Sequence, residues 1–590
     1  MSVNQHLDAL RDYMRRFNVD AVIIPGTDPH QSEYVSDYYK FREWLTGFTG
    51  SNGTAVVTVD DAALWTDSRY FLQAAEQLDG TGFSLMREGD YGDLSRTEWL
   101  AERLGEDDVI AIDGRLFTVN EVNRLDHYCG EHGFMLATDF VPADRIWTDR
   151  PPFPKASAYV HELKYAGEDI DSKVTALVGV IEQLGATGVL LTALDDIAWL
   201  YNLRGDDVLY TPVVTAYAFV SSSERSLFID PGKVTTEVKE HLRASGVHIR
   251  EYDDIVRYLE RKRDGEYVLL DPDRVSDTLA QALPCGKVYS PSPVAALKAV
   301  KNDVQIEGFR SAHLRDAAAL VKLLGWLERS VPAGGVTEVA VAEKIASLRA
   351  GSGDLYREES FGAIVGYGEH GAIVHYEVTP ETDVELRPEG LLLIDTGGQY
   401  LDGTTDVTRT VTLGTPSPEQ RRDYTLVLKG HLALQAAVFP MGTTGMQLDV
   451  LARMPLWQSG LNYGHGTGHG VGQFLCCHEG PQSIRTNFNP TPLRAGMVTS
   501  NEPGLYLAGE YGIRIENLML CVKSDLPGDF LAFEPLTLVP YDRRLIDSSM
   551  LTAAEVDRIN AYHALVAERL LPLLSGDDAS WLQRATAAIG

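Results

Sequence analysis

The segment 393–410, LIDTGGQYLDGTTDVTRT, constrains the fold most narrowly, because it places Asp395 and Asp406 on what read as two neighbouring strands. An apolar run at 391–394 leads into the first aspartate, and a β-branched run at 404–411 carries the second. Both patterns predict strands. Two buried carboxylates repel each other and lose their hydration, at a cost of several kcal/mol per ion. The pair therefore predicts either a cation between the side chains or two turns that the aspartates cap.

A second acidic pair, Glu502 and Glu516, lies further along the chain. Residues 497–504 and 511–517 predict another pair of strands, each with one glutamate. Glutamate is depleted in strands, and a bound metal would explain both positions.

The spacing of these residues repeats. Asp395 and Glu502 are 107 positions apart (502 − 395), and Asp406 and Glu516 are 110 positions apart (516 − 406). The segments ahead of them echo each other as well, with Pro440 standing 108 positions after Pro332 (440 − 332). We infer a duplicated unit of helices followed by a strand pair, in which each half contributes two carboxylates.

Glycines surround two histidines in the segment 463–472, YGHGTGHGVG. Glycine disfavours a helix, which argues against the helical zinc-protease motif. His465 and His469 fit either satisfied polar residues or imidazoles that a close-packed backbone presents to a site. If His469 is a fifth ligand, two divalent cations would balance the four negative charges, as a buried site requires. An oxygen-rich set with one imidazole suits ions such as Mn²⁺.

These segments resemble the motifs of the pita-bread metallopeptidases, and among them the long, three-domain Xaa-Pro aminopeptidases. The motifs that carry the resemblance are HGTGH, DGTTDVTRT, NEPG and GIRIEN, and the resemblance covers nearly the whole chain. It implies two divalent metal ions, with Mn²⁺ favoured and Zn²⁺ or Co²⁺ as alternatives. The implied ligands are Asp395, Asp406, His469, Glu502 and Glu516.

The resemblance also implies a reaction. A metal-bridging hydroxide would attack the carbonyl of the first residue of a peptide whose second residue is proline, and Glu502 would be both ligand and proton shuttle. His375, His465 and His478 match the family's non-ligand histidines and would bind substrate and stabilise the oxyanion. Arg514 would hold a metal-binding carboxylate, with a salt bridge elsewhere as the alternative.

Other functions share parts of this pattern. A prolidase that cleaves only Xaa-Pro dipeptides would have the same ligands, although two further N-terminal domains argue against it. Methionine aminopeptidases lack those domains, and creatinase lacks the ligand set. A non-catalytic scaffold protein with this fold would usually have lost ligands, whereas all five are present.

Two to four domains are expected, because 590 residues exceed what one hydrophobic core normally fills. Alternating helix and strand patterns predict two creatinase-like α/β domains, at residues 1–150 and 156–300, separated by a proline-rich linker. Residues 301–590 would form the pita-bread catalytic domain, so that the whole is an α/β (α+β) protein. Similar segments at 42–47 and 196–205 indicate that the two N-terminal domains are duplicates.

Charge and cysteine content bear on partners and compartment. A net charge of −32 argues against nucleic acid and anionic membranes as partners. The five cysteines show no CxxC spacing and read as reduced thiols. The first residues lack the apolar core of a signal peptide, and no apolar run approaches about 18 residues. We expect a cytoplasmic protein, and the resemblance adds a homodimer.

Overall fold

The computed structural model describes residues 2–90 and 92–590. They divide into two compact units. The first contains residues up to His161 together with Glu168–Val294, and the second contains Glu162–Gly167 and Ala295–Gly590.

The described part of the first unit contains two six-stranded sheets and one two-stranded sheet. Within the described residues, the first sheet has the strand order β4-β3-β2-β1-β5-β6. Its strands are β1 (Ala21–Pro25), β2 (Thr54–Thr58), β3 (Ala62–Thr66), β4 (Ser84–Arg87), β5 (Val109–Ala111) and β6 (Met135–Ala137). The next strands are β7 (Tyr159–Val160), β8 (Gly188–Leu191), β9 (Leu203–Arg204), β10 (Ala216–Ser221), β11 (Arg225–Ile229), β12 (His248–Arg250), β13 (Tyr267–Leu270) and β14 (Gly286–Tyr289).

The second sheet has the order β12-β11-β10-β8-β13-β14, while β7 pairs with β9. In each sheet the first strand pairs antiparallel with one neighbour (β1 with β2, β8 with β10) and parallel with the other (β1 with β5, β8 with β13). The shared topology agrees with the predicted duplication.

Helices cover these sheets and connect their strands. Those up to residue 150 are α1 (Val3–Phe17), α2 (Phe41–Thr46), α3 (Phe71–Gln77), α4 (Arg96–Ala101), α5 (Val119–His132) and α6 (Ala143–Ile146). Helix α7 (Leu163–Ala166) belongs to the second unit, and α13 (Pro293–Ala299) crosses the boundary between the units. The helices between them, in the first unit, are α8 (Ile170–Gln183), α9 (Leu194–Leu200), α10 (Thr236–Ala244), α11 (Ile255–Leu259) and α12 (Asp277–Gln281).

In the second unit the long helix α14 (Asp303–Ser330) begins at a capping box formed by Asn302 and Gln305. The helices that follow are α15 (Glu338–Ala350), α16 (Pro418–Gln435), α17 (Gly445–Trp457), α18 (Ala553–Leu570) and α19 (Gly576–Ala585). The capping box at the start of α16, formed by Ser417 and Gln420, is also present. Helix α14 packs on α15 and α16 packs on α17, so the predicted helical part of the repeat is confirmed.

Strands of the second unit bring the two halves together. They are β15 (Tyr356–Glu359), β16 (Ile364–Tyr367), β17 (Leu391–Thr396), β18 (Gly398–Tyr400), β19 (Gly403–Thr404), β20 (Val407–Thr412), β21 (Val438–Pro440), β22 (Gly468–Gly470), β23 (Glu479–Ile484), β24 (Val498–Asn501), β25 (Gly504–Leu507), β26 (Tyr511–Arg514), β27 (Asn517–Lys523) and β28 (Phe530–Pro535). Strand β17 pairs antiparallel with β20, and β24 pairs antiparallel with β27. Both predicted strand pairs are therefore present.

The second strand pair has a break that the sequence did not predict. The β24–β27 ladder ends at Asn501 and Asn517, and the β25–β26 ladder begins at Gly504 and Arg514. At the break the Glu502 amide donates to the Thr467 carbonyl at 2.8 Å, and the Glu516 amide donates to the Thr408 carbonyl at 3.1 Å. The two glutamates leave the hairpin ladder and bond to neighbouring segments instead.

Apolar packing fixes the strand that carries the first aspartate. Leu392 and Ile394 of β17 lie in one buried cluster with Leu320 and Leu324 of α14 and Val427 of α16. A side chain at the end of β17 therefore has a defined position.

Two further sequence predictions concern cysteines and membrane spans. All five cysteines are free thiols, as predicted. Among the described residues, no helix combines the length and the apolar character that crossing a membrane would need.

Candidate dinuclear metal centre

Four carboxylates converge from the ends of four strands. Asp395 lies near the end of β17, Asp406 directly precedes β20, Glu502 directly follows β24, and Glu516 directly precedes β27. Oxygen atoms of Asp395, Asp406 and Glu516 lie within 4.8 Å of one another, and atoms of His469, Glu502 and Glu516 form a second such group. All five predicted ligands thus lie in one cluster, with Glu516 common to both groups.

Two carboxylates of this cluster each have one hydrogen-bonded oxygen and one oxygen without a partner, and this indicates a cation site. Oδ2 of Asp395 accepts two hydrogen bonds from Arg514, and Oε2 of Glu516 accepts one from Thr408 at 2.9 Å. The other oxygen of each, Oδ1 of Asp395 and Oε1 of Glu516, is buried with no hydrogen-bond partner among the described residues. A buried acceptor without a partner is costly, and divalent cations would satisfy both oxygens. The residues present therefore fit a dinuclear metal centre.

His469 offers one ring nitrogen to the cluster. Its Nδ1 donates to the Gly470 carbonyl at 2.9 Å, which leaves Nε2 to face the carboxylates. Nε2 lies 3.4 Å from Oδ2 of Asp406 and 3.4 Å from Oε1 of Glu502. A backbone acceptor on the far nitrogen is the usual way to orient a metal-ligating histidine.

Burial and mutual repulsion shift the pKa values of this set strongly in the metal-free protein. Burial raises the pKa of Glu502 to about 7, although the charge of His469 opposes this shift. Burial and the neighbouring aspartates raise the pKa of Glu516 well above its ordinary value, and burial raises that of Asp395.

His469 and Asp406 act as a charged pair. Burial lowers the pKa of His469, but the hydrogen bond with Asp406 and the charge of Glu502 outweigh it and raise the pKa to about 9. Burial likewise opposes ionisation of Asp406, but the bond from His469 brings its pKa below the ordinary value. Without metal, the imidazolium serves as the local counter-ion.

Arg514 connects the cluster to His465. Its Nε and Nη2 donate to Oδ2 of Asp395 at 3.0 and 2.7 Å, so the predicted contact with a carboxylate of the set is present. Its Nη1 donates to the Tyr506 hydroxyl at 2.7 Å, and that hydroxyl in turn lies 2.8 Å from Nε2 of His465. Nδ1 of His465 donates to the Gly466 carbonyl. Both ring nitrogens of His465 are therefore engaged in this chain of bonds.

Of the remaining two predicted histidines, His478 lies at the edge of the cluster and His375 follows a residue that contacts Arg514. The ring of His478 is 4.4 Å from that of His469, centroid to centroid, and His478 falls within a group with Asp406 and His469. His375 follows Val374, whose carbonyl accepts a hydrogen bond from Nη2 of Arg514 at 3.2 Å.

Several residues of the site were missed by the sequence analysis. Thr408 binds Glu516, and Ser500 donates to Oε1 of Glu502 at 3.0 Å. Both stand two positions from a carboxylate in a strand pattern, and this period-two spacing is a signal that could have revealed them. No comparable spacing in the sequence marks Tyr506 or Cys477 as part of the site.

Two other polar residues near the site have structural partners. Asp402 pairs with Arg315. His370 bonds to the buried Glu338 through Nδ1, at 3.0 Å from each carboxylate oxygen.

Comparison with known proteins places this geometry in a family. Residues 307–523 match the model of metallopeptidase family M24, and residues 529–589 match the C-terminal region of peptidase M24. Residues 6–146 and 149–305 match two creatinase/prolidase N-terminal domain models. Aminopeptidase P2 of Arabidopsis thaliana is 42% identical over 96% of this chain and 86% of its own length. The chain belongs to metallopeptidase family M24.

Other M24 relatives match over similar lengths. A probable Xaa-Pro aminopeptidase P of Laccaria bicolor is 40% identical over 99% of this chain and 93% of its own. The structure of the X-prolyl aminopeptidase of Caenorhabditis elegans, described as a cytosolic enzyme with a dinuclear active site, superimposes with a TM-score of 0.96 at 35% identity, over 100% of both chains. The Xaa-Pro dipeptidase of Bacillus anthracis shares only the fold, with a TM-score of 0.51 at 22% identity over 63% of this chain.

Proposed function

We propose that this M24 peptidase is a metal-dependent aminopeptidase that releases the first residue from peptides with proline in the second position. The observation that carries this proposal is the buried cluster of four carboxylates and His469, with unpartnered oxygens on Asp395 and Glu516. Full-length similarity to Xaa-Pro aminopeptidases supports the choice of substrate.

The five clustered residues, Asp395, Asp406, His469, Glu502 and Glu516, would hold two divalent ions. Four carboxylates and a single imidazole favour Mn²⁺, with Zn²⁺ or Co²⁺ as alternatives. When bound, the ions would polarise the scissile carbonyl and make a water molecule a nucleophile at neutral pH.

Glu502 is the residue best placed to move protons. It directly follows β24, its Oε1 is held by Ser500, and its side chain is 18% exposed. A carboxylate in this position can accept the proton of the attacking water and donate it to the leaving proline nitrogen. That second transfer matters because the tertiary amide nitrogen must be protonated before it leaves.

The other site residues orient the substrate and the carboxylates. His375, His465 and His478 would bind the peptide and donate to the oxyanion. Arg514 would keep Asp395 in place through its two hydrogen bonds. Because proline lacks an N–H and has a fixed φ, proteases that bind extended, hydrogen-bonded peptides handle it poorly. A free α-amine on the first residue would be attracted by the acidic cluster.

The proposal also covers the compartment, the oligomeric state and the partners of the enzyme. We infer a cytoplasmic homodimer with no nucleic-acid or membrane partner, supported by the net charge, the free thiols and the cytosolic C. elegans enzyme. The three domains would lie at residues 1–150, 156–300 and 301–590.

Peptide hydrolysis tests the proposal directly. With Mn²⁺ present, kcat/KM would be measured for Arg-Pro-Pro, Arg-Ala-Pro, N-acetyl-Arg-Pro-Pro and the dipeptide Arg-Pro. We expect efficient cleavage of the first peptide only. Comparable cleavage of Arg-Ala-Pro would refute proline selectivity, cleavage of the acetylated peptide would refute an aminopeptidase, and strict preference for Arg-Pro would indicate a prolidase.

The variant Glu502→Gln tests the mechanism. It keeps the shape of the side chain but removes the proton carrier, so kcat should fall by roughly 10²-fold or more. If only KM rose, Glu502 would be a binding residue instead.

A further inference from the structure

A buried cluster of three charged residues includes Glu479, the neighbour of the site histidine His478 in the chain. Oε1 of Glu479 is 2.5 Å from Nζ of Lys301, and Oε2 of Glu479 is 2.7 Å from Nζ of Lys298. The exposed fractions of the three side chains are 0%, 1% and 2% for Glu479, Lys301 and Lys298. We call these residues the Lys298–Glu479–Lys301 triad.

Burying three charges is expensive, so the triad needs a reason to exist. Each ion loses hydration worth several kcal/mol even after relaxation, and apolar residues of similar volume are often as stable or more so. A buried ionic cluster is therefore weak evidence for a contribution to stability. Its geometric specificity, with each carboxylate oxygen assigned to one ammonium, suggests a role in fixing a position.

The segment that the triad fixes carries one site histidine and pairs with another. Glu479 directly follows His478, and its backbone pairs with Gly470, which follows His469. The pairing shifts sharply there, because His469 pairs with Ser483 while Gly470 pairs with Glu479. Residues 480–482 bulge out of the ladder, so backbone pairing alone leaves the start of β23 weakly defined.

The far side of the triad is firmly held. The backbone N–H of Lys301 donates to the Gly496 carbonyl at 2.9 Å, and Val300 forms a bridge with Met497 immediately before β24. The carboxylate of Glu479 is also enclosed, because a Cβ at Gly472 would lie 2.9 Å from Oε2. The lysines thus tie the start of β23 to the base of the strand that leads to Glu502.

We propose that Lys298, Lys301 and Glu479 are positioning residues that hold His478 against His469 at the reaction centre. The ring separation of 4.4 Å between these histidines is the geometry that the triad maintains. This inference rests on the proposed function, in which His478 contacts the substrate.

Replacing the charged residues of the triad by neutral ones distinguishes a role in positioning His478 from a role in stability. The variant Glu479→Gln leaves two buried ammonium groups without their carboxylate, so both Tm and kcat should fall. The triple variant Lys298→Met, Lys301→Met, Glu479→Met replaces all three charged groups by apolar side chains of similar volume and should regain Tm. We expect its kcat to stay at least about tenfold below that of the wild type, with KM little changed and metal content retained.

A buried ion pair elsewhere provides the matched control. Lys233 and Asp207 in the first unit are 1% and 0% exposed and lie 2.6 Å apart. The variant Asp207→Asn should lower Tm in the same way but leave kcat unchanged. Recovery of kcat together with Tm in the triple variant would overturn the proposal, because the triad would then act on stability alone.

A further variant distinguishes failure of this inference from failure of the proposed function. If His478→Ala kept full activity, the proposed role of His478 in catalysis would be wrong. The positioning role of the triad would then be tested by the position of the His478 ring. A crystal structure of metal-free Glu479→Gln should then show the His478 ring displaced from His469. An unchanged ring position would overturn the positioning role.

Discussion

The thiol of Cys477 lies 3.3 Å from Oδ2 of Asp406, the oxygen that also faces His469. Cys477 is 3% exposed, and burial raises the pKa of its thiol well above the ordinary value. The sulfur is therefore protonated and acts as a weak donor to a metal-binding carboxylate.

This contact predicts an effect on metal affinity. Cys477→Ala removes the donor and should weaken Mn²⁺ binding by about tenfold, as is typical for the outer partners of a ligand, whereas Cys477→Ser should keep the affinity. Calorimetric titration of metal-free protein would measure this. The neighbouring Cys476→Ser is the control, and an alanine variant with wild-type affinity would show that the thiol only fills space.

Tyr506 should matter for turnover rather than for metal retention. Tyr506→Phe removes the hydroxyl between Arg514 and His465, so kcat should fall about tenfold or more while metal content is unchanged. The control is Tyr511→Phe in the same hairpin, whose hydroxyl donates to Asp423 at 2.8 Å. Equal losses in both variants would mean that the hairpin is merely destabilised.

Alanine variants of the two histidines in the glycine-rich segment should differ in metal content. Elemental analysis should find less metal in His469→Ala, whose Nε2 faces two carboxylates, but not in His465→Ala, whose nitrogens are engaged elsewhere. The second variant should lose turnover. Equal metal loss in both would contradict the assignment.

Metal binding should release protons. In the metal-free protein the pKa of His469 is about 9, so its imidazole holds a proton at pH 7.5, while burial and the neighbouring aspartates raise the pKa of Glu516 well above its ordinary value. Metal binding displaces the His469 proton, and apparent affinity should therefore rise with pH up to about 9. Calorimetry in buffers of different ionisation enthalpy would count the protons, and a count of zero would contradict these pKa shifts.

Two buried histidines should make the protein sensitive to acid. Burial lowers the pKa values of His431 and His563 to about 3, against about 6.5 in an unfolded chain. The unfolded state therefore binds more protons between these values, and the stability that each neutral histidine contributes is lost as pH falls from 6.5 towards 3. Each contributes a slope of about 1.4 kcal/mol per pH unit in that window.

Thermal unfolding of metal-free protein between pH 4 and 8 would test this. His563→Gln should show a shallower dependence of Tm on pH than the wild type. His127, which is exposed on α5, provides the control variant His127→Gln. Identical slopes in all three proteins would contradict the prediction.

The metal cluster was predictable because the sequence features that mark its residues lie in short segments and occur in both halves of the repeat. Asp395, Asp406, Glu502 and Glu516 each stand in a strand-forming segment that disfavours acidic residues, and their spacing repeats between halves. The capping boxes at the starts of α14 and α16 are local in the same sense, since a few adjacent residues determine them.

Contacts between distant residues escaped prediction. Cys477 is 71 positions from Asp406, and Glu479 is 181 positions from Lys298. The sequence around Cys477 does not show that its thiol is buried against a carboxylate. The sequence around Glu479 and Lys298 does not show that they form a buried ion pair. The ladder break at Glu502 and Glu516 was missed because period-two patterns describe continuous strands, and these amides bond to other segments.

That break has a consequence for cooperativity. The Glu516 amide bonds to Thr408, and the Arg409 guanidinium donates to the carbonyls of Glu516 and Val539. These bonds cross from one half of the repeat to the other at the residues that carry the carboxylates. Local opening of either half must therefore break bonds of the other, so the slowest amide hydrogens of both halves should report one common free energy of opening.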